Sequence, residues 1–187
     1  MLNYQSSINN TKSYSGLTIK EISPIMKLNL RGNSREFLTT IGKNINMILP
    51  VEANTSSTSD QYTSLWLSPD EWMVISNNSV DKENNNYEIE ELLFNKISKN
   101  NLGAITDVSD QFVIINLNGK KIFDLLSTGC PFDFSNFIHK KGAVAQTLLT
   151  QIDIIIHHKE LNNVNLFVRR SFSEHLMSWI DDAASRL

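Results

Sequence analysis

The chain's 187 residues can bury a real core as one domain or as two small, tightly joined halves. A net charge of −3, with lysines and arginines scattered, lacks the basic footprint of a phosphate-backbone binder and sets nucleic acid aside. The single cysteine, Cys130, excludes an intrachain disulfide and fits a reducing compartment, the cytoplasm by default, and no apolar run approaches the roughly 18 residues of a membrane span.

In chain order, residues 1–16 are polar, without the apolar core of a secretion signal or the arginines of a transit peptide, and are expected to form a flexible tail. Across residues 20–30, Met26, Leu28 and Leu30 alternate with Lys27, Asn29 and Arg31, which predicts a half-buried strand stopped by Gly32. Ser34 is placed to cap a short helix carrying Phe37, Leu38 and Ile41, with Gly42 closing it in the left-handed conformation. Residues 63–67 and 72–76 flank Pro69, which fixes φ and removes a backbone donor, so they read as a hairpin and not as one strand. Trp66 and Trp72 bracket its turn, where rings of that size either fill a core or anchor a partner. Ile89, Leu92, Leu93 and Ile97 predict a helix, while residues 52–60 and 77–86, rich in Asn and Ser, predict loops.

The same pattern returns 87 residues later without a gap. Val113, Ile115 and Leu117 take the places of Met26, Leu28 and Leu30; Gly119, Leu125 and Gly129 those of Gly32, Leu38 and Gly42. Strands at 143–149 and 152–157 then match the first hairpin, and an extra strand at 165–169 precedes a last helix on Phe172, Leu176, Trp179, Ile180 and Ala183, opened by Ser171 and Glu174 as a capping box. A duplicated strand–helix–strand–strand–helix unit, with repeats at about 17–103 and 104–187, predicts an α+β fold with helices on one face of the sheet.

Chemistry is sparse. The Gly-rich phosphate signatures are missing. His157 and His158 are adjacent on a predicted strand, so they point to opposite faces and cannot share a metal; His139 and His175 are isolated. Cys130 with His139 would need a spatial pairing and a third orienting group for nucleophilic catalysis; otherwise the thiol is a small apolar filler. Asp107 and Asp110 could divide acid and base roles, but Asx-turn capping is the commoner use of such residues. Arg169 and Arg170 could clamp a carboxylate or a partner's acidic side chain, or stand solvated. These residues assemble no catalytic, cofactor or metal site.

Taken together, Trp66-Leu67-Ser68-Pro69-Asp70-Glu71-Trp72, Asp107-Val108-Ser109-Asp110, Gly129-Cys130-Pro131-Phe132-Asp133, Val168-Arg169-Arg170-Ser171-Phe172 and Trp179-Ile180-Asp181-Asp182-Ala183 resemble, in order and spacing, the gamma subunit of heterotetrameric sarcosine oxidase. The resemblance implies an accessory, non-catalytic chain of a complex that oxidises sarcosine to glycine, hydrogen peroxide and formaldehyde or methylene-tetrahydrofolate. It implies partners in the alpha, beta and delta subunits, chiefly the folate-binding half of alpha, with FAD, FMN, NAD and tetrahydrofolate held by other chains. The implied fold is that of the glycine-cleavage T-protein folate-binding domain, two duplicated, strand-swapped α+β halves. The expected partner surface centres on Trp66, Trp72, Arg169 and Arg170, and such a chain made alone would tend to self-associate. The rival readings are a tetrahydrofolate-binding protein or folate-dependent enzyme acting alone, and an accessory chain of a related methylated-amine oxidase.

Overall fold

The computed structural model describes Ser6, Ile8, residues 11–78 and residues 87–187, with Tyr87 described by its backbone alone. Strands β1 (Lys12–Tyr14) and β2 (Leu17–Glu21) precede β3 (Lys27–Arg31), helix α1 (Arg35–Ile45) and strands β4 (Ser56–Thr58), β5 (Tyr62–Ser68) and β6 (Glu71–Ser76). Helix α2 (Tyr87–Leu93), which runs into a π-helical turn at Phe94–Ser98, leads to β7 (Ala104–Asp107), β8 (Phe112–Gly119) and α3 (Ile122–Ser127). A 3-10 turn at Phe137–His139, then β9 (Val144–Leu149), β10 (Ile152–Glu160), β11 (Asn163–Arg169) and α4 (Ser173–Ser185) follow. The chain forms two compact units, one of Met1–Ile22 with Gln111–Leu187 and one of Ser23–Asp110.

In the Ser23–Asp110 unit an antiparallel sheet of order β4-β5-β6-β3-β7 packs Leu28, Leu30, Trp72 and Val74 against Phe37 and Ile41 of α1 and Ile97. Phe37, Ile41 and Ile45 recur every four residues and bury one face of α1. Ser34 caps it as expected, its Oγ accepting the Phe37 N–H at 3.0 Å. The other end differs from expectation. Helix α1 runs through Gly42 to Ile45, and Asn46 takes the left-handed conformation with its N–H bonded to the Gly42 carbonyl. Asn tolerates that region as Gly does, while a Cβ on Gly42 would crowd the Met47 carbonyl at 3.1 Å, so the glycine serves close packing.

The hairpin forms as predicted, with Pro69 and Asp70 in the turn between Ser68 and Glu71 and Trp66 directly opposite Trp72. Trp72 is only 2 % exposed, lies 6.2 Å from the Phe37 ring and donates its indole N–H to the Pro50 carbonyl at 2.8 Å. It is a core residue, which corrects the expectation that its side chain offers a partner surface. Lys27 is a second correction. Read as a solvent-facing position, it is buried, with Nζ donating to the carbonyls of Ile25 at 3.0 Å and Ser109 at 2.8 Å. Those acceptors offset the loss of water around the ammonium. Within the expected loop 52–60, residues 56–58 form β4; of the expected loop 77–86, residues 79–86 lie outside the described residues.

The other unit is an antiparallel sheet of order β1-β2-β8-β11-β10-β9 whose Val113, Ile115, Ile154, Ile156, Leu166 and Val168 pack against Leu125 of α3 and Leu176 and Ile180 of α4. Residues 12–14, assigned to the tail, pair with β2, and the residues 20–30 are no single strand, because Pro24 falls where β2 has ended and β3 has not begun. The segment 165–169, expected as an extra element, is part of β11, which pairs with both β8 and β10. No capping box opens α4: Ser171 lies in a 3-10 turn (Arg170–Phe172), and the hydroxyl of Ser173 donates to the Arg170 carbonyl at 2.7 Å.

His158 turns into this core, Nδ1 2.9 Å from the Lys140 carbonyl and its ring 5.7 Å from those of Phe123 and Phe137. His157 takes the opposite face. It is buried opposite Asn165, whose Oδ1 accepts from Asn116 at 2.8 Å. Burial, reinforced by the charges of Lys159 and His158, lowers the His157 pKa from 6.5 to about 3.

Two outcomes follow from this packing. Trp72→Ala should cost the free chain about 3–5 kcal/mol in denaturant unfolding, the range for emptying a buried tryptophan site; a loss below about 1 kcal/mol would return Trp72 to the surface. For His157, the unfolded chain binds the extra proton between its ordinary pKa and the lowered folded value, so its contribution is intact above pH 6.5 and is lost as pH falls toward 3. Urea titrations should show the stability advantage of wild type over His157→Gln shrinking by about 1.6 kcal/mol between pH 6.5 and pH 5, the slope growing from roughly 0.7 toward 1.4 kcal/mol per pH unit as the unfolded imidazole fills with protons; a pH-independent difference would contradict the buried neutral imidazole.

Candidate functional site

Side chains alternate across a strand, so Val113, Ile154, Ile156, Leu166 and Val168 face the helices while Phe112, Asp153, Ile155, Phe167 and Arg169 take the other face. A cleft of about 370 Å³ lies on that face, lined among others by Phe112, Leu148, Asp153, Ile155, Phe167 and Arg169. Its floor is apolar: Ile155 is 8 % and Phe167 0 % exposed. Leu148, on β9, is 39 % exposed at its border. Because Ile154 stands opposite Val168, the next position along the same pair sets Asp153 beside Arg169. Both are exposed, and among the described residues no ion pair is found for either. A floor of rings and aliphatic groups with one charge of each sign suits an amphipathic side chain or segment.

The sequence-predicted residues scatter. Trp66, half-buried against the helix-side core, and the core residue Trp72 belong to one unit; Arg169 and Arg170 belong to the other. Arg169 borders the cleft, whereas Arg170 begins the 3-10 turn, its N–H bonded to the Gln111 carbonyl at 2.8 Å. Asp107 accepts the Ser109 N–H at 2.8 Å in an Asx turn, and Ser109 Oγ accepts the Lys27 N–H at 2.9 Å, so this motif ties the start of β3 to the end of β7. Cys130 is buried with Sγ 3.7 Å from Thr147 Oγ1; His139 is exposed, and no hydrogen bond joins the two among the described residues. His175 is exposed on α4. No group of three or more His, Cys, Asp or Glu residues is placed to hold a metal, and no helix is long and apolar enough to cross a membrane, among the described residues. Sequence reasoning missed Asp153 and Leu148. The exposed Asp153 inside an otherwise apolar strand, with Ile152, Ile154, Ile155 and Ile156 around it, was the available signal.

Comparison with known proteins bears on this arrangement. The family described as sarcosine oxidase, gamma subunit, matches residues 31–186. Among solved structures, the heterotetrameric sarcosine oxidase from Corynebacterium sp. U-96 in complex with pyrrole 2-carboxylate contains a similar chain, with a TM-score of 0.80 and 21 % identity over 91 % of this chain and 84 % of that one. At that identity the likeness speaks to the fold, a mixed α and β architecture of two antiparallel sheets with few helices. No curated protein sequence matches. The family match runs from the last residue of β3 to just past the end of α4 and so takes in most of the Ser23–Asp110 unit and nearly all of the Gln111–Leu187 part of the other. This chain belongs to the sarcosine oxidase gamma subunit family.

Proposed function

We propose that the chain is the accessory subunit of a cytoplasmic heterotetrameric sarcosine oxidase, holding no flavin, NAD or folate itself and packing chiefly on the folate-binding half of the alpha subunit, with the beta and delta chains completing the assembly. The observation that carries this reading is the family match across residues 31–186. The reaction is the oxidative demethylation of sarcosine to glycine, with hydrogen peroxide and formaldehyde or methylene-tetrahydrofolate as products, and its chemistry resides on the partner chains. Trp66, Arg169 and Arg170 remain the proposed contacts, since aromatic and arginine side chains concentrate interface energy.

The fold reading under this function is a duplication with exchanged strands. Its support is the exact return of α1's first residue, Arg35, at Ile122 of α3, 87 positions on. Further support is the border strands: β3 is flanked by β7, the strand before β8 in the chain, and β8 by β2, the strand before β3.

Co-expression with the alpha, beta and delta chains of a sarcosine oxidase tests the function. All four chains should co-purify and release hydrogen peroxide from sarcosine, while leaving this chain out should lower the yield of intact complex at least tenfold, equivalent to about 1.4 kcal/mol of assembly energy. A trimer of the other chains, equally abundant and active without it, would remove the accessory role. Saturable heat on titrating the purified chain with tetrahydrofolate would favour the stand-alone folate protein instead.

A further inference from the structure

The turn before β9 and the hairpin joining β10 to β11 bring three lysines together. Lys140 and Lys141 precede Gly142, which turns the chain at φ 80°, and Lys159 is the last residue but one of β10. The register is irregular on both sides of Lys159. Gly142 and Ala143 both bond His158, through the Gly142 N–H at 2.7 Å and the Ala143 carbonyl at 2.9 Å, so Lys141 falls opposite Lys159. On the β11 side the ladder passes from His158 opposite Val164 to Glu160 opposite Asn163 and skips Lys159.

His158 holds this arrangement. Its buried ring places Nδ1 2.9 Å from the Lys140 carbonyl, which also accepts the Ala143 N–H at 3.2 Å, so the backbone of the lysine turn is tied to β10. All three lysines are exposed, and among the described residues no ion pair is found for any of them. Like charges set opposite one another on paired strands repel. Glu160 is the acid beside them, outweighed by three positive charges, and Asp133, the acid of the preceding loop, accepts from the Ser135 hydroxyl and amide. Past Lys159, Leu161 is 80 % exposed at the hairpin tip, before Asn162 at φ 59°, where turns favour small polar residues.

We infer that Lys140, Lys141 and Lys159 receive an acidic segment of a partner subunit in the assembled oxidase, with Leu161 seated in an apolar recess next to that segment. This rests on the accessory-subunit reading above. The partner's carboxylates relieve the repulsion among the ammonium groups, and on a chain of net charge −3 a fixed positive corner orients the approach. Membership of a family of oxidase subunits favours a protein occupant over a lipid surface.

The test uses the co-expressed complex with Lys141→Gln and Lys159→Gln together in this chain and, as an equal change of charge on exposed residues of the other unit, Lys96→Gln with Lys99→Gln. Removing the like-charge neighbours should leave the free chain's urea midpoint at or above the wild-type value, yet lower recovery with the partner chains about tenfold; Leu161→Ser should lower it several-fold. A merely structural role would not separate the two readouts. Wild-type recovery should also fall as salt rises from about 0.05 to 0.5 M, and the Lys141, Lys159 variant should lose most of that dependence. A midpoint below wild type, full assembly of that variant, equal loss in the control, or wild-type assembly indifferent to salt would overturn the inference while leaving the accessory reading intact. Binding of the free chain to phosphatidylserine vesicles, abolished by the same two substitutions, would assign the corner to a lipid surface and likewise overturn it. Failure of the wild-type chain to join the partners would strike the accessory reading, and the inference with it.

Discussion

The pairing of β2 with β8 is the constraint on which one whole unit depends. Residues 17–21 run antiparallel to 115–119, and the ladder is extended past its end by the Ile22 N–H bonded to the Ile114 carbonyl at 2.8 Å. At the other end Gly119 sits at φ 139°, where a Cβ would collide with the Gly16 carbonyl. Only glycine lets the two backbones close there. Without β2, the long strand β8 would be an edge whose Ile115 and Leu117, both 0 % exposed, lose the Ile19 that packs in the same core. A segment at one end of the chain is thus obligatory to a sheet built mostly from the other end, and contacts of such sequence separation form late and slowly.

Strands β8, β10 and β11 are buried on both faces, and this decides much of what can be read from the sequence. Val113 to Leu117 are buried without a break, as are Ile154 to His158 and Val164 to Val168. Continuous apolar runs announce a strand but erase the period-two signal that tells one face from the other. The register is held instead by polar groups inside the runs, with Asn116 donating to the side chains of Asn163 at 2.7 Å and Asn165 at 2.8 Å. A one-residue slip would move those amides to the helix-side core, where their lost partners would cost more than the displaced apolar contacts.

The local elements were therefore legible and their assignments were less so. Ser34 and the Phe37, Ile41 spacing sufficed for α1, and Pro69 for the hairpin, because both signals are local and steric. Trp72 and Lys27 misled, each for a tertiary reason: the Pro50 carbonyl supplies an indole acceptor, and the carbonyls of Ile25 and Ser109 supply the ammonium's, from positions that pattern alone does not connect. Ser171 carried a capping-box pattern, yet the chain leaves β11 through a 3-10 turn that uses the Arg170 carbonyl, so Ser173 takes the bond. Of the candidate cleft, Arg169 was visible as a charged end of a strand; Asp153 and Leu148 became meaningful only when the sheet order set them beside it.

The motifs that identify the family in this sequence turn out to be joints of the fold. Asp107-Val108-Ser109-Asp110 fastens Lys27 at both its amide and its ammonium. In Gly129-Cys130-Pro131-Phe132-Asp133, a Cβ on Gly129 would come within 2.6 Å of the Trp179 ring, so the glycine is the notch that receives a residue of another motif. Asp133 closes the turn by accepting from the Ser135 hydroxyl at 2.6 Å and amide at 2.9 Å, bonds that hold its carboxyl below the usual range. Phe132 and Phe134 then enter the ring cluster around His158 through Phe137 and Phe123. Motif residues spent on turns, notches and ring contacts fix the shape of a scaffold.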